Sequence, residues 1–84
     1  NEIEEVAAMH PGILEAAAIG VPDVHSGEAV KLFIVRKDPE LTEADVKAHC
    51  AANLTNYKRP RFIEFRTELP KTPVGKILRK DLRG

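Results

Sequence analysis

The sequence is poor in the features that assign a protein to a structural class at first sight. It has one cysteine among 84 residues, Cys50, so no disulfide can form within the chain. It has no tryptophan, one tyrosine and three phenylalanines, which leaves a thin, mainly aliphatic core. No apolar run is long enough to cross a bilayer, and no signal peptide is visible. With 43% hydrophobic and 31% charged residues, the composition indicates a small globular domain.

Charges of opposite sign lie in different parts of the chain, although the formal net charge is zero. Three glutamates occur among the first five residues, whereas nine lysines and arginines lie between Lys58 and Arg83. A basic segment on a neutral domain is typical of a protein with a local anionic partner. A solvated basic face accounts for the same pattern.

The spacing of apolar residues predicts an α+β fold, in which a small three-stranded sheet is packed by helices. The expected order is helix, strand, strand, helix, strand and a short amphipathic tail. The strands are predicted at residues 13–21, 28–36 and 62–65. A second helix is predicted to run from a cap at Thr42 to about Leu54.

The ends of the two main helices carry recognisable signals. We expect Asn1 to cap the first helix with Glu4 as the reciprocal carboxylate, and the helix to end at Pro11-Gly12 with His10 on its apolar face. Thr42 and Asp45 are expected to form a capping box on the second helix, where Cys50 is interpreted as a small core residue. Alternation in the first strand predicts that Leu14 shares a face with Ala16 and Ala18.

A glycine-lysine pair in a constrained turn is the first candidate site. It lies in the stretch PKTPVGKILRKDL, which begins at Pro70. A phosphate-binding loop is excluded, because Pro70 replaces the required first glycine and Ile77 replaces the metal-binding hydroxyl. Gly75 permits backbone angles closed to other residues. Lys76 would then present a positioned positive charge, although an ordinary basic turn is an equally good interpretation.

The segment YKRPR, residues 57–61, is the second candidate site. Tyr57 could stack on a purine, and Arg59 and Arg61 could hold phosphates. A surface loop with Tyr57 half-buried explains the segment equally well. The histidines lie in separate elements without ligand spacing, so we predict no metal site in the chain. Ser26, the one serine, lacks a nucleophile-elbow sequence.

Three blocks of the sequence together resemble the C-terminal domain of the adenylate-forming enzymes. These blocks are GVPD....GEAVKLFIV, LTNYKRPRFIEF and ELPKTPVGKILRKDL, and their order and spacing fit over essentially the whole chain. The family includes acyl-CoA synthetases, peptide-synthetase adenylation domains and luciferases. The YKRP and GKILRK segments are most similar to the acyl-CoA ligase branch, in particular to fatty-acid–CoA ligases of medium- or long-chain preference.

The resemblance implies that residues 1–84 form a single C-terminal lid domain, and that a large N-terminal AMP-binding domain belongs to the same longer chain. The absence of a start methionine fits this interpretation. The implied reaction joins a carboxylic acid, expected to be a fatty acid, to ATP as an acyl-adenylate and then transfers the acyl group to CoA. Mg²⁺ is expected with the N-terminal domain, and the fragment alone is expected to be inactive.

The resemblance also implies roles for individual residues. Lys76 would be catalytic in the first step, where it touches the carboxylate and the α-phosphate, while Gly75 and Lys71 support its loop. The domain would rotate between the two steps and carry Lys76 away. The residues at positions that contact the nucleotide end of CoA in some members are Tyr57, Arg59 and Arg61.

The expected setting is cytoplasmic, with at most peripheral membrane contact and no nucleic-acid partner. A second hypothesis of a different class is a stand-alone module that binds a nucleotide or an acidic partner through the basic C-terminal half. Steeply salt-dependent binding of nucleic acid would favour that second hypothesis.

Overall fold

The computed structural model describes residues 2–25 and 27–83, and it confirms the predicted α+β class and the order of the elements. The predicted cap residue Asn1 and Ser26 lie outside the described residues. A 3₁₀ turn, Asn56–Lys58, follows the second helix. The helices and strands are α1 (Glu2–Ala8), β1 (Ile13–Asp23), β2 (Gly27–Arg36), α2 (Glu43–Asn53), β3 (Phe62–Arg66) and α3 (Arg79–Arg83).

The sheet has the order β1-β2-β3, with β1 antiparallel to β2 and β2 parallel to β3. The parallel pair requires a crossover connection, which α2 supplies. The β1–β2 hairpin closes between Asp23 and Gly27, so β1 runs two residues beyond the predicted end. Pro22 is tolerated within this strand because β1 is at the edge of the sheet, where one side of the strand needs no ladder donor.

Each face of the sheet carries its own apolar cluster. On one face, α1 and α2 cover side chains of β1 and β2 that include Ala16, Leu32 and Ile34. On the other face, Leu69 and Leu82 from the C-terminal segment pack near Phe33. Successive side chains of β2 therefore point alternately to the two faces of the sheet, and both faces are covered. The residues that follow β3 complete the second cluster, which fixes the position of the C-terminal segment.

The prediction for Leu14 is wrong, because this side chain is 60% exposed. The register of β1 against β2 shifts between Ile13 and Glu15, which marks a β-bulge. One extra residue reverses the alternation on one side of the bulge, so Ile13 joins Ala16 in the core in place of Leu14.

The first helix is shorter than predicted, since α1 ends at Ala8 and His10 lies in the following turn. The His10 Nδ1 atom accepts a hydrogen bond from the Gly12 N–H at 2.9 Å, which stabilises the turn in place of another helical residue. The ring of His10 packs edge-on against His49, whose Nε2 lies 2.6 Å from the Val6 carbonyl oxygen.

The second helix begins as predicted. The Thr42 hydroxyl accepts from the Asp45 N–H at 3.1 Å, and the Asp45 carboxylate accepts from the Thr42 N–H at 3.0 Å. The bond from the Thr42 N–H favours the ionised carboxylate, and hydrogen bonding from Thr42 lowers the pKa of Asp45 below its ordinary value. Cys50 is fully buried on the inner face of this helix, and burial raises the pKa of its thiol. The interpretation of Cys50 as a core residue is confirmed.

Candidate functional site

Lys76 lies on a short hairpin, residues 70–78, which we call the arm. The arm is closed at its base by an antiparallel bridge between Lys71 and Ile77 and by the Leu78 N–H, which donates to the Pro70 carbonyl at 2.8 Å. Nearer the tip, the Thr72 N–H donates to the Lys76 carbonyl at 2.8 Å. The arm is therefore an ordered hairpin rather than an extended tail.

Gly75 supplies a backbone conformation that the tip of the arm requires. Its φ is +88°, in the region that side chains other than glycine rarely adopt. A Cβ atom at this position would meet no atom within 4 Å, so a side chain would fit there. The backbone conformation, and not a lack of space, is therefore the reason for glycine. The open space around Gly75 is compatible with close approach of another molecule.

The Lys76 side chain is exposed and makes no hydrogen bond or ion pair within the part of the chain that the structure describes. Its backbone is held firmly, because the Lys76 N–H donates to the Thr72 hydroxyl at 3.1 Å. A fixed main chain and a solvated ammonium together present one positive charge to a second molecule. The geometry suits stabilisation of a developing anion.

Most other cations of the basic segment are paired with carboxylates, and several of these carboxylates come from the first quarter of the chain. Among the lysines and arginines whose side chains are described between residues 58 and 82, Lys76 and Lys80 alone make no hydrogen bond or ion pair. The ion pairs that neutralise the segment are Lys58–Glu2, Arg61–Asp23, Arg66–Glu64, Lys71–Glu15 and Arg79–Glu4. Ion pairs therefore neutralise much of the positive charge that the described part of this segment carries.

The structure brings Tyr57, Arg59 and Arg61 together at one surface groove of about 460 Å³, which also borders Glu28 and Asn56. The Tyr57 side chain is 80% exposed, so the half-buried interpretation of this residue is wrong. An exposed ring at the rim of a groove is available to stack on a planar ligand.

Arg59 has a structural role that the sequence did not reveal. Its guanidinium donates to the Leu54 carbonyl at 3.0 Å, to the Ala51 carbonyl at 2.8 Å and to the Asn56 side chain at 2.8 Å. The first two bonds satisfy carbonyls at the C-terminal end of α2, which has no basic residue in its own last turn. Most of the guanidinium of Arg59 is therefore engaged within the domain.

Two further observations concern metals and membranes. No group of three or more His, Cys, Asp or Glu side chains suited to a metal ion occurs within residues 2–25 and 27–83. Over the same residues, no helix has the length and apolar character needed to cross a bilayer.

Comparison with known families assigns the chain to a protein family. A sequence model of the AMP-binding enzyme C-terminal domain matches residues 2–76, so the match begins in α1 and ends at Lys76. The chain belongs to this family. The matched segment contains the residues that line the groove and the arm as far as Lys76.

Individual relatives agree with the family. A long-chain-fatty-acid–CoA ligase of Escherichia coli O6:H1 is 59% identical over 83 residues, which are 99% of this chain and 15% of that protein. The fatty acyl CoA synthetase of Mycobacterium tuberculosis superposes with a TM-score of 0.91 at 38% identity, over 98% of this chain and 16% of that one. The anthranilate CoA ligase AuaEII in complex with anthranoyl-AMP superposes with a TM-score of 0.85 at 45% identity, over 96% of this chain and 16% of that one. The chain thus spans about one sixth of these proteins.

Proposed function

We propose that the chain is the mobile C-terminal catalytic domain of an ATP-dependent fatty-acid–CoA ligase. In the complete enzyme, a carboxylate attacks the α-phosphate of ATP to give an acyl-adenylate and pyrophosphate, and the thiol of CoA then displaces AMP. The long-chain-fatty-acid–CoA ligase of E. coli supports the substrate class at 59% identity. The anthranoyl-AMP held by AuaEII supports the acyl-adenylate intermediate.

The observation that carries the proposal is the isolated charge of Lys76. Its main chain is fixed by Thr72, its ammonium is unpaired within the described residues, and the flanking cations Lys71 and Arg79 are neutralised. An ammonium on a main chain that is held in this way can reach a second domain and meet the negative charge that develops on the attacking carboxylate and the α-phosphate. Gly75 and Lys71 support Lys76 by forming the tip and the base of the arm.

The rest of the active site lies, in this proposal, on a large N-terminal AMP-binding domain of the same chain. That domain would supply the acyl pocket and the ligands for Mg²⁺, because no metal-binding cluster occurs in the described part of this one. The isolated 84-residue chain is therefore expected to be inactive. We place the complete enzyme in the cytoplasm, in fatty-acid metabolism, with at most peripheral contact with a membrane.

The groove at Tyr57 is proposed to receive the nucleotide end of CoA in the thioester-forming orientation. Tyr57 offers an exposed ring, and Arg61 keeps a half-exposed guanidinium beside Asp23 at 3.2 Å. Arg59 contributes mainly by holding the turn that carries Tyr57, because it is bonded to α2 and to Asn56. This division of roles refines the equal weight that the sequence gave to the three residues.

The decisive experiment measures the two half-reactions of the full-length enzyme separately. We expect Lys76→Ala to slow acyl-adenylate formation about 100- to 1,000-fold, as removal of one preorganised charge contact does in other enzymes. Thioester formation from supplied acyl-adenylate should be largely retained. Lys80→Ala is the matched control, because Lys80 is a nearby exposed lysine that is also unpaired within the described residues. Equal loss in both half-reactions would refute this role for Lys76.

The second hypothesis, a stand-alone module that binds through a basic face, has less support. That hypothesis was motivated by the basic segment that begins at Lys58. Ion pairs with carboxylates neutralise five of the lysines and arginines in this segment. Calorimetric titration of the chain with short nucleic acids at two salt concentrations tests it. Tight binding that weakens steeply with salt would restore the hypothesis.

A further inference from the structure

We propose that Glu4 and Glu15 are positioning residues for Lys76, and that they act through two ion pairs at the base of the arm. This inference rests on the proposed catalytic role of Lys76. Neither glutamate is near the arm in sequence, and neither contacts Lys76 itself. Each one binds a cation that flanks it: Lys71 precedes Lys76 by five residues and Arg79 follows it by three.

The first ion pair joins the arm to the edge strand of the sheet. The Lys71 Nζ lies 2.5 Å from a carboxylate oxygen of Glu15, on β1. Lys71 is also the residue that bridges to Ile77 across the base of the hairpin. A contact that holds Lys71 therefore fixes both strands of the arm at the point where they leave the domain.

The second ion pair joins the other end of the arm to α1 and β1 together. The Arg79 Nε donates to a Glu4 carboxylate oxygen at 2.8 Å, and its terminal nitrogen bonds the second oxygen, so the contact is bidentate. Glu4 also accepts from the Ala18 N–H at 2.8 Å, on the open side of the edge strand. The Glu4 side chain is only 14% exposed, whereas that of Arg79 is 45% exposed, so the pair is shielded from water on the carboxylate side alone.

Two anchors leave the arm less freedom than one. With a single anchor, the hairpin could pivot about it, and the ammonium of Lys76, at the far end, would move most. Anchors at both ends remove that pivot without constraining the Lys76 side chain, which is free to reach into a second domain. Displacement of about 1 Å at a reacting group costs up to about 100-fold in rate, so such bracing matters for catalysis.

The test uses the full-length enzyme and both half-reactions. We expect Glu15→Gln to slow adenylation about two- to fivefold, the effect of losing one partly exposed ion pair. In Glu4→Gln the amide oxygen can still accept from the Ala18 N–H, so the edge strand remains satisfied. The double variant Glu4→Gln/Glu15→Gln should slow adenylation tenfold or more, beyond the product of the single effects, with thioester formation from supplied acyl-adenylate unchanged.

Charge reversal tests whether residues 15 and 71 act through their ion pair, and an effect on adenylation alone separates positioning from a general structural role. Glu15→Lys should impair adenylation, and Glu15→Lys combined with Lys71→Glu should restore it. Glu43→Gln, which removes the exposed pair with Lys47 on α2, is the matched control and should change neither half-reaction.

The outcomes separate the two proposals. Suppose that Lys76→Ala abolishes adenylation but the double variant keeps the wild-type rate; the positioning role alone is then overturned. The same conclusion follows if the double variant loses both half-reactions equally. If Lys76→Ala retains full adenylation, the proposed function is overturned, and the positioning role with it.

Discussion

The hydroxyl of Thr72 accepts a hydrogen bond from the backbone N–H of Lys76, at 3.1 Å across the arm. The bond orients the main chain from which the Lys76 side chain departs. We expect Thr72→Val, which keeps the shape and removes the acceptor, to slow adenylation about two- to tenfold. Thr72→Ser should retain most of the rate, because it keeps the hydroxyl. Pyrophosphate exchange in the full-length enzyme measures both, and equal rates for the two variants would contradict the role of the bond.

Gly75 and Gly27 form a matched pair for separating backbone strain from catalysis. Both have positive φ, +88° and +83°, and a Cβ at either would meet no atom within 4 Å. Alanine at either position should therefore lower the stability of the fold by a similar amount, about 1 kcal/mol. Only Gly75→Ala should slow adenylation, since only Gly75 lies in the arm. Thermal unfolding and pyrophosphate exchange are the measurements, and a comparable catalytic loss in Gly27→Ala would count against a specific role of the tip.

Tyr57 and Arg59 are expected to respond differently to removal. Tyr57→Ala should raise the KM for CoA, because base stacking on an aromatic ring is worth about 1–3 kcal/mol, and it should leave the melting temperature unchanged. Arg59→Met should lower the melting temperature, because two carbonyls of α2 lose their donor. A large rise in the KM for CoA without any loss of stability in Arg59→Met would instead place its guanidinium on the ligand.

The pair between Glu4 and Arg79 predicts a pH dependence of folding. Burial raises the pKa of the Glu4 carboxyl, but hydrogen bonds from Arg79 and the Ala18 N–H outweigh burial and hold the pKa below its ordinary value. A carboxyl of this kind stabilises the fold above its unfolded pKa, and the contribution is lost as the pH falls through the folded pKa. Arg79→Met should therefore be less stable than the wild type at pH 7.

The measurement is urea unfolding of the 84-residue chain at several pH values. The difference between Arg79→Met and the wild type should narrow as the pH falls below the ordinary pKa of a glutamate carboxyl, because protonation of Glu4 removes the same interaction in the wild type. Lys47→Met, which breaks an exposed pair on α2, is the control and should show little difference at any pH. A difference that does not change anywhere in the acid range would show that the ion pair does not contribute through the charge of Glu4.

The parts of the fold that could be predicted from the sequence depend on signals within a few residues. The capping box of Thr42 and Asp45 lies within one turn of helix, and the burial of Cys50 follows from helical spacing. The glycine-lysine pair was likewise identified because Gly75 and Lys76 are adjacent. The bulge at Leu14 escaped prediction, since the apolar alternation of β1 reads equally well in either register.

The parts that could not be predicted depend on partners far apart in the chain. Lys71 and Arg79 looked like members of a basic segment, and nothing in their neighbourhood reveals that Glu15 and Glu4 neutralise them. Arg59 looked like a ligand for phosphate, because the carbonyls it satisfies lie on the preceding helix and carry no sequence signature. Charge patterns along the sequence therefore overstated the free positive charge of the folded surface.

The separation of Glu4 from Arg79 along the chain also has a consequence for synthesis. A ribosome completes α1 and β1 before it adds the residues of the arm, so the carboxylates that will receive Lys71 and Arg79 are made first. The second apolar cluster is completed in the same order, because Leu69 and Leu82 are added after Phe33. The arm is thus synthesised after α1 and β1, so the carboxylates that bind its base are made before Lys76.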